Sequence, residues 1–545
     1  MTWIRQRADW WASALLVGAV AIYAAGFVDF NVPPFEDAAM LMRYADHLAH
    51  GYGIVWNIGQ RPVDGATDFL FMGAAAALIR AGVAIGRSVR ALGFAAHLLT
   101  VLLVYWVNRK VWGAQLVIAF IGALYLAVGT GLSYVAAFFG TPFFALFAAL
   151  TWTLALLLIR SPKSLNWLAA LFAFFAVLTG LVRPEGMILG ILMLIAIVVM
   201  NGWKTSLSLI LIFCSVLLVL GGAYFVWHWQ YFGYPLPNPF YKKGGGLLYM
   251  DSFWESLGYL LRFGGPFLLA FVLGLRSRKI LRMTIAFLLP LLGFAAAFIL
   301  ISNDTNFGGR FQYALWPLVL LSYYPLVAGL AEEVHISYSK PVMKPTVAAW
   351  ILVGLLLAWG LVRYSMLQSC TLTIAQQTCG VAYEADGRYD VGRMLSNYQG
   401  QGYVLATSEA GLLPLYSGWS AIDTWGLNDE WIAHHGEVTP QYLDEYKPNL
   451  IVFHAYFSPL VSPKLTEKNL SQDWFRMTIT LKEYAESHGY ILAAAFGDSP
   501  YEAHYYYVRS DFPDSSRLVR DISNMKNYYW FATGRKAINY ALLLQ

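Results

Sequence analysis

Charge is what this chain has least of. Asp, Glu, Lys and Arg supply 13% of its 545 residues and apolar types 58%, with a mean hydropathy of +0.53. A soluble globular chain carries about 25% charged and about 45–50% apolar residues, so that class is excluded and a polytopic membrane protein is left. The formal charge of +5 is spread through short loops with no basic arm or tract, which argues against a nucleic-acid partner. Cysteine is also scarce, three in all, with no His/Cys spacing of the metal-binding kind. Walker and Rossmann glycine patterns are both lacking, so no directly bound nucleotide is expected.

Long apolar runs are what the chain has in abundance. The first, about Trp10 to Val28, follows Arg5 and Arg7, has the Trp10-Trp11 pair at its start and no small-residue cleavage site after it. Those features predict a retained anchor with a cytoplasmic N-terminus rather than a signal peptide. Further runs long enough to cross the bilayer occur near 143–159, 165–181, 183–201, 205–228, 264–276, 280–301, 312–331 and 347–366. Arg160 with Lys163, then Lys204, then Arg276, Arg278, Lys279 and Arg282, then Lys340 with Lys344 fall at every second loop, as the positive-inside bias requires. Between Asp68 and Val128 three runs stand where the alternation demands an even number of crossings. Arg80, Arg87 and Arg90 favour a cytoplasmic turn near 88, Arg109 and Lys110 one near 110; either choice gives about 11 spans and an outer C-terminus.

After Arg363 polar residues return and no apolar run reaches membrane length, which predicts a transmembrane domain over 1–367 and a second, extracytoplasmic domain over 368–545. Gly402–Ala406, Leu450–His454 and Tyr490–Phe496 have the pattern of short buried strands between helical segments, hence an α/β fold. Cys370 and Cys379 stand close together at its start, either as a disulfide or as two free thiols. The dense aromatics at Tyr501 to Tyr507 and Tyr528-Tyr529-Trp530 suit carbohydrate stacking or a seat on the membrane.

The first outer loop, 29–68, is far longer than the usual 2–8-residue helix connection. Pro33-Pro34 stop the first span, and the acidic pair Glu36-Asp37 follows at the head of an amphipathic segment, 37–49, expected to lie along the membrane surface. Glu36-Asp37-Ala38, Arg43-Tyr44-Ala45, Gly51–Asn57 and Pro62–Thr67 together resemble the first outer loop of the GT-C membrane glycosyltransferases. The branch resembled is that of the mycobacterial cell-wall terminal arabinofuranosyltransferase. Leu181–Gly186, Tyr234–Lys243 and Gly308-Gly309-Arg310-Phe311 resemble later outer loops of the same family, and Ala410–Gly418 with Ile422–Asp429 a segment of its outer lobe. The chain departs from the pattern in three places: Glu36 stands for an Asp, Asp64 for a Glu, and Phe138–Pro142 lacks a common Glu.

The resemblance implies a GT-C fold and an inverting-type transfer of one sugar, arabinofuranose among the possibilities, from a polyprenyl-phosphate donor to an extracytoplasmic glycan or glycolipid at a bacterial inner membrane. Such a transfer needs a base for the acceptor hydroxyl and positive charge for the departing phosphate. Asp37 is the candidate base, Glu36 its orienting partner, an acceptor contact or a ligand to a divalent cation such as Mg or Mn; a cap on the helix that starts near 38 is the plainer role for either. Arg310, Lys243 and Lys242, on two later outer loops, are candidates for the phosphate, with lipid headgroup contact as the plainer role. Arg183 and Glu185 form a candidate pair at an outer turn; Asp64, Asp68 and Asn238 are candidate sugar hydrogen-bonders, with Trp56, Tyr241 and Trp425 as candidate stacking faces. A ligase or polymerase of lipid-linked polysaccharide shares many of these features. A transporter fits less well, because the spans carry little internal charge.

Overall fold

The computed structural model describes residues 2–161, 166–244, 248–300, 303, 306–338, 354–355, 358–360, 386–463 and 472–544. The expected run at 347–366, the boundary at 367/368 and the Cys370–Cys379 pair fall wholly or largely outside the described residues, as does the side chain of Lys243. Among the described residues, seven helices are long and apolar enough to cross a membrane: Arg7–Gly26, Ile85–Val111, Leu116–Ala136, Thr141–Arg160, Trp203–Phe232, Met250–Gly274 and Leu315–Glu333. Four shorter apolar helices, Phe69–Arg80, Asn166–Val182, Glu185–Asn201 and Leu281–Ala297, accompany them.

Polar contacts at the helix ends sort these helices by direction. Asp9, fully buried near the start of the first helix, receives Arg109 Nε at 2.8 Å and Lys110 Nζ at 2.7 Å, so residues 109–110 lie on the N-terminal side. Arg90, near the other end of Ile85–Val111, donates to the carbonyls of Phe30, Val32 and Ala136, beyond the far end of that first helix. The helix Ile85–Val111 therefore runs from the loop-one side to the N-terminal side, and the turn that shares the N-terminal side is the one near 110, not the one near 88.

Phe69–Arg80 starts and ends on the loop-one side. Its 12 residues span only about 18 Å at 1.5 Å per residue, too short for about 30 Å of hydrocarbon. Of the two turns the sequence left open, the one near 88 lies on the loop-one side, where Arg90 serves as a structural donor to three backbone carbonyls. Further along, Arg282 donates to Val199 at 2.6 Å and Lys279 pairs with Glu332 at 3.0 Å, tying helix ends together on the N-terminal side. The contacts thus leave ten described helical segments as candidate crossings, with Phe69–Arg80 outside that set.

The second domain is an α/β lobe on one six-stranded sheet. Its strands are β1 (Val404–Thr407), β2 (Ser420–Asp423), β3 (Leu450–Ala455), β4 (Tyr490–Ser499), β5 (Glu502–Arg509) and β6 (Ile538–Asn539), in the order β2-β1-β3-β5-β4-β6. β2, β1 and β3 are parallel; β5, β4 and β6 join antiparallel. Alternate residues serve alternate faces: Leu450, Val452, Tyr506 and Val508 pack with the core that continues into loop one, Ile451, Phe453, Tyr505 and Tyr507 with the outer layer. The aromatic run Tyr505 to Tyr507 is therefore a buried strand, and Tyr528 and Trp530 are buried to 1% and 2% exposure. This places them in the core rather than on a surface that could meet a glycan or a membrane.

Loop one and the lobe are locked together. Arg43 donates to Trp56 and Asn57 within the loop and to the carbonyls of Pro414 and Trp419 in the lobe. Trp56 Nε1 reaches the Ala421 carbonyl at 2.9 Å, Asn57 pairs with the backbone of Ala421 in both directions, and Tyr44 donates to Asn428 at 3.1 Å. Burial and a saturated indole nitrogen make Trp56 a joint between the two units, not a sugar platform.

Candidate active site

Phe35 N–H bonds the Ala137 carbonyl at 3.2 Å, and the chain turns into the helix Glu36–Ala49 with both carboxylates in its first turn, where the positive end of the helix dipole favours them. Consecutive helical residues point about 100° apart, and the two side chains part company. Asp37 lines a cavity of about 440 Å³. Glu36 turns into the lobe, where Oε1 accepts from Gly411 N–H at 2.5 Å and Leu412 N–H at 3.2 Å, and Arg388 lies 3.5 Å from its other oxygen. It caps the lobe helix Leu412–Ser417 and not its own. A Cβ on Gly411 would sit 2.0 Å from the Glu36 carbonyl, so only glycine allows this approach. Burial, opposed by Arg388, pushes the Glu36 carboxyl up to about 8.

The cavity collects cations from separate loops. Arg310 forms an ion pair with Asp37 and stacks over Phe139, 4.3 Å from its centroid. It is presented by the turn Gly308-Gly309, in which both residues have positive φ (64° and 77°) and a Cβ on Gly309 would meet the Tyr259 ring at 2.3 Å. Arg183 bonds Asp68 at 3.1 Å and Glu185 at 3.0 Å, and its guanidinium lies 4.8 Å from the Phe311 centroid, that of Arg310 at 4.9 Å. Asp68 is buried, which raises its carboxyl pKa against the pull of Arg183. Asp37, Asp68, Arg183, Glu185 and Arg310 thus line one cavity together with Thr67, Phe139 and Phe311.

Phe138, before the stacked Phe139, holds φ +66°, a conformation that costs a bulky residue about 1–3 kcal/mol. The Arg90 guanidinium, 3.9 Å from its ring, secures it. The weakly family-like Phe138–Pro142 segment therefore contributes an aromatic wall where the family commonly carries a Glu.

Other candidates lie elsewhere. Lys242 donates to the Gly436 carbonyl and covers Trp425 at 4.4 Å; it fastens the loop to the lobe and is not among the groups facing the cavity. Tyr241 packs on His434 at 4.4 Å and Trp425 on Trp474 at 5.1 Å. Asn238 is buried with its N–H on the Asp64 carbonyl at 3.0 Å. Asp64 bonds His228 at 2.6 Å and lines a second, mostly apolar cavity of about 450 Å³. The two cavities share Ala66, Thr67, Pro184, Leu236 and Pro237 as a wall, and the second borders the outward-facing helix residues Leu218 and Phe225.

Glu36 and Asp37 do not converge on one point, and Asp37 already holds a guanidinium. The pair does not fit an Mg or Mn ion between them. Phe139 and Phe311 lie in segments with a family-like signal, but neither side chain was singled out, and the lobe groups Arg388, Asp386 and Glu409 carried no sequence signal.

A family model described as a domain of unknown function (DUF8728) matches residues 375–512. No curated protein matches. Among solved structures, the chain is similar to ArnT from Cupriavidus metallidurans bound to undecaprenyl phosphate, with 13% identity, a TM-score of 0.57, and coverage of 90% of this chain and 97% of that one. The apo state of the same protein aligns with a TM-score of 0.54 at the same identity and coverage. The fold is thus like that of ArnT, here a bundle of apolar helices with an α/β lobe at its C-terminal end.

Proposed function

We propose that the chain is a polyprenyl-phosphate-dependent glycosyltransferase that moves one sugar onto a hydroxyl of a glycan or glycolipid acceptor. The observation that carries this reading is the convergence of Asp37, Arg310 and Arg183 on one cavity. Asp37 takes the proton of the acceptor hydroxyl as its oxygen bonds the anomeric carbon. The bond from that carbon to the phosphate oxygen breaks, and its electron pair leaves with the phosphate. Arg310 and Arg183, held in place by aromatic faces and buried carboxylates, are suited to bidentate contact with that phosphate. Arg310 also bears on Asp37, so arrival of the anionic donor draws the guanidinium away and releases the carboxylate for proton transfer. Attack opposite the leaving group inverts the anomeric centre.

The adjoining apolar cavity, bordered by outward-facing helix residues, suits the first isoprene units of a lipid carrier, and a structure of like fold holds undecaprenyl phosphate. Arabinofuranose as the sugar, a cell-wall acceptor and the outer face of a bacterial inner membrane rest on the loop motifs of the sequence. The test is transfer from radiolabelled polyprenyl-phosphate sugars by purified wild type, Asp37→Asn and Arg310→Ala, with donor binding measured in parallel. Asp37→Asn is expected to bind donor and not transfer it; normal transfer by that variant sinks the reading, and transfer of preassembled lipid-linked chains alone replaces it with a ligase.

A further inference from the structure

We propose that the lobe holds a divalent-cation site formed by Glu409, His454 and His504, with Zn2+ as the cation its donors suit. One ligand atom from each of the three side chains lies within 4.8 Å of the others, and all three residues are buried. His454 and His504 are directly opposite each other on β3 and β5, and Glu409 follows the end of β1. The parallel and antiparallel halves of the sheet therefore meet at this point. Two imidazoles and a carboxylate match the ligand set of many zinc sites, in which a water or further carboxylate completes the tetrahedron.

The strongest evidence is an orphan. His504 is fully buried, its Nδ1 is engaged with Tyr528 Oη at 2.7 Å, and its Nε2 has no hydrogen-bond partner. A buried ring nitrogen without a partner costs about 1–3 kcal/mol, and a metal bond removes that cost. The contact at the far nitrogen is what metal-bound imidazoles commonly have, since it fixes ring orientation. His454 has one ring nitrogen engaged as well, Nε2 at 2.8 Å from Glu502.

Charge points the same way. Glu36, Asp386 and Glu409 surround a single guanidinium, that of Arg388, which pairs with Asp386 at 2.5 Å and with Glu409. Buried carboxylates in excess over cations are costly, and a divalent ion beside Glu409 offsets the excess. Because Glu409 holds Arg388 and Arg388 approaches Glu36, the ion also stands behind the helix that presents Asp37. Its role is positional: it fixes the lobe edge against which loop one is seated.

The test is elemental analysis of the full-length protein, purified in detergent without chelator, followed by chelator stripping and reloading. Zinc at about one per chain is expected as purified or after reloading, with a higher thermal midpoint on adding zinc to the stripped protein and no such rise with magnesium. His504→Ala and Glu409→Gln are expected to retain less than about a tenth of that zinc, whereas His435→Ala, an exposed histidine of the lobe, keeps it. Absence of zinc from wild type both as purified and after reloading, with no thermal shift, overturns the proposal. So does undiminished zinc in folded His504→Ala. The stripping and reloading arm uses wild type, so it decides even if the variants fail to fold.

Discussion

At the scale of single residues, the candidate site works through pairs. Asp37 was legible in the sequence because an acidic pair just beyond a span needs a reason; its partner Arg310, 273 positions away, was legible only through motif resemblance. The opposite orientations of Glu36 and Asp37 were not legible, because they depend on the lobe docking across the helix N-terminus. Replacing Asp37 by Asn is expected to lower transfer about 10²–10⁴-fold, the usual contribution of a general base, with donor affinity retained; initial rates and donor binding on the same preparation check it.

Glu36 gives a different expectation. Its carboxyl is pushed up to about 8 by burial, from an ordinary value of 4.5, so the folded chain binds more protons than the unfolded one between those values. The stability this contributes is full below the unfolded pKa and is lost as pH rises through the folded one. Thermal midpoints measured from pH 5 to 9 should fall with rising pH, and Glu36→Gln should flatten that fall.

At the scale of elements, strands β1, β3 and β4 were visible as apolar runs, whereas β5 was hidden by its tyrosines, which looked like a surface aromatic cluster. Phe69–Arg80 was hidden for another reason: an apolar helix lying to one side of the membrane has the composition of a spanning one, and only contacts at both ends of its neighbour distinguish them. The turn that carries Arg310 is an element with a strict requirement. Gly309→Ala must adopt φ near +77° and push a Cβ into Tyr259, which is expected to destabilise the fold by about 1–3 kcal/mol and to displace Arg310. Denaturation midpoints together with donor affinity test both effects; an active variant of wild-type stability counts against this account of the turn.

For the whole molecule, the spans and the two-part division could be read from hydropathy, while the joint between the parts could not, since Arg43, Trp56 and Asn57 find their lobe partners more than 350 positions later. Sidedness is open to direct test. Cysteines introduced singly at exposed Tyr52 and Val83 should react with an impermeant reagent from one side, and one introduced at Lys110 from the other. Labelling of Val83→Cys and Lys110→Cys from the same side would refute the non-crossing assignment of Phe69–Arg80. Arg43→Ala leaves backbone carbonyls on both units without their donor, so limited proteolysis should free the lobe faster than in wild type.

Consecutive side chains on one helical turn, one latched to the lobe and the other facing the reactants, make a mechanical interlock. Any tilt of the helix that unlatches Glu36 also swings Asp37 out of line. Under the proposed function, a lipid-linked sugar waiting in a chain whose lobe is unseated meets no aligned base, and water is denied activation along with the acceptor. The lobe would then guard against wasted donor, and loosening it through Arg43→Ala should depress donor hydrolysis in the absence of acceptor rather than increase it.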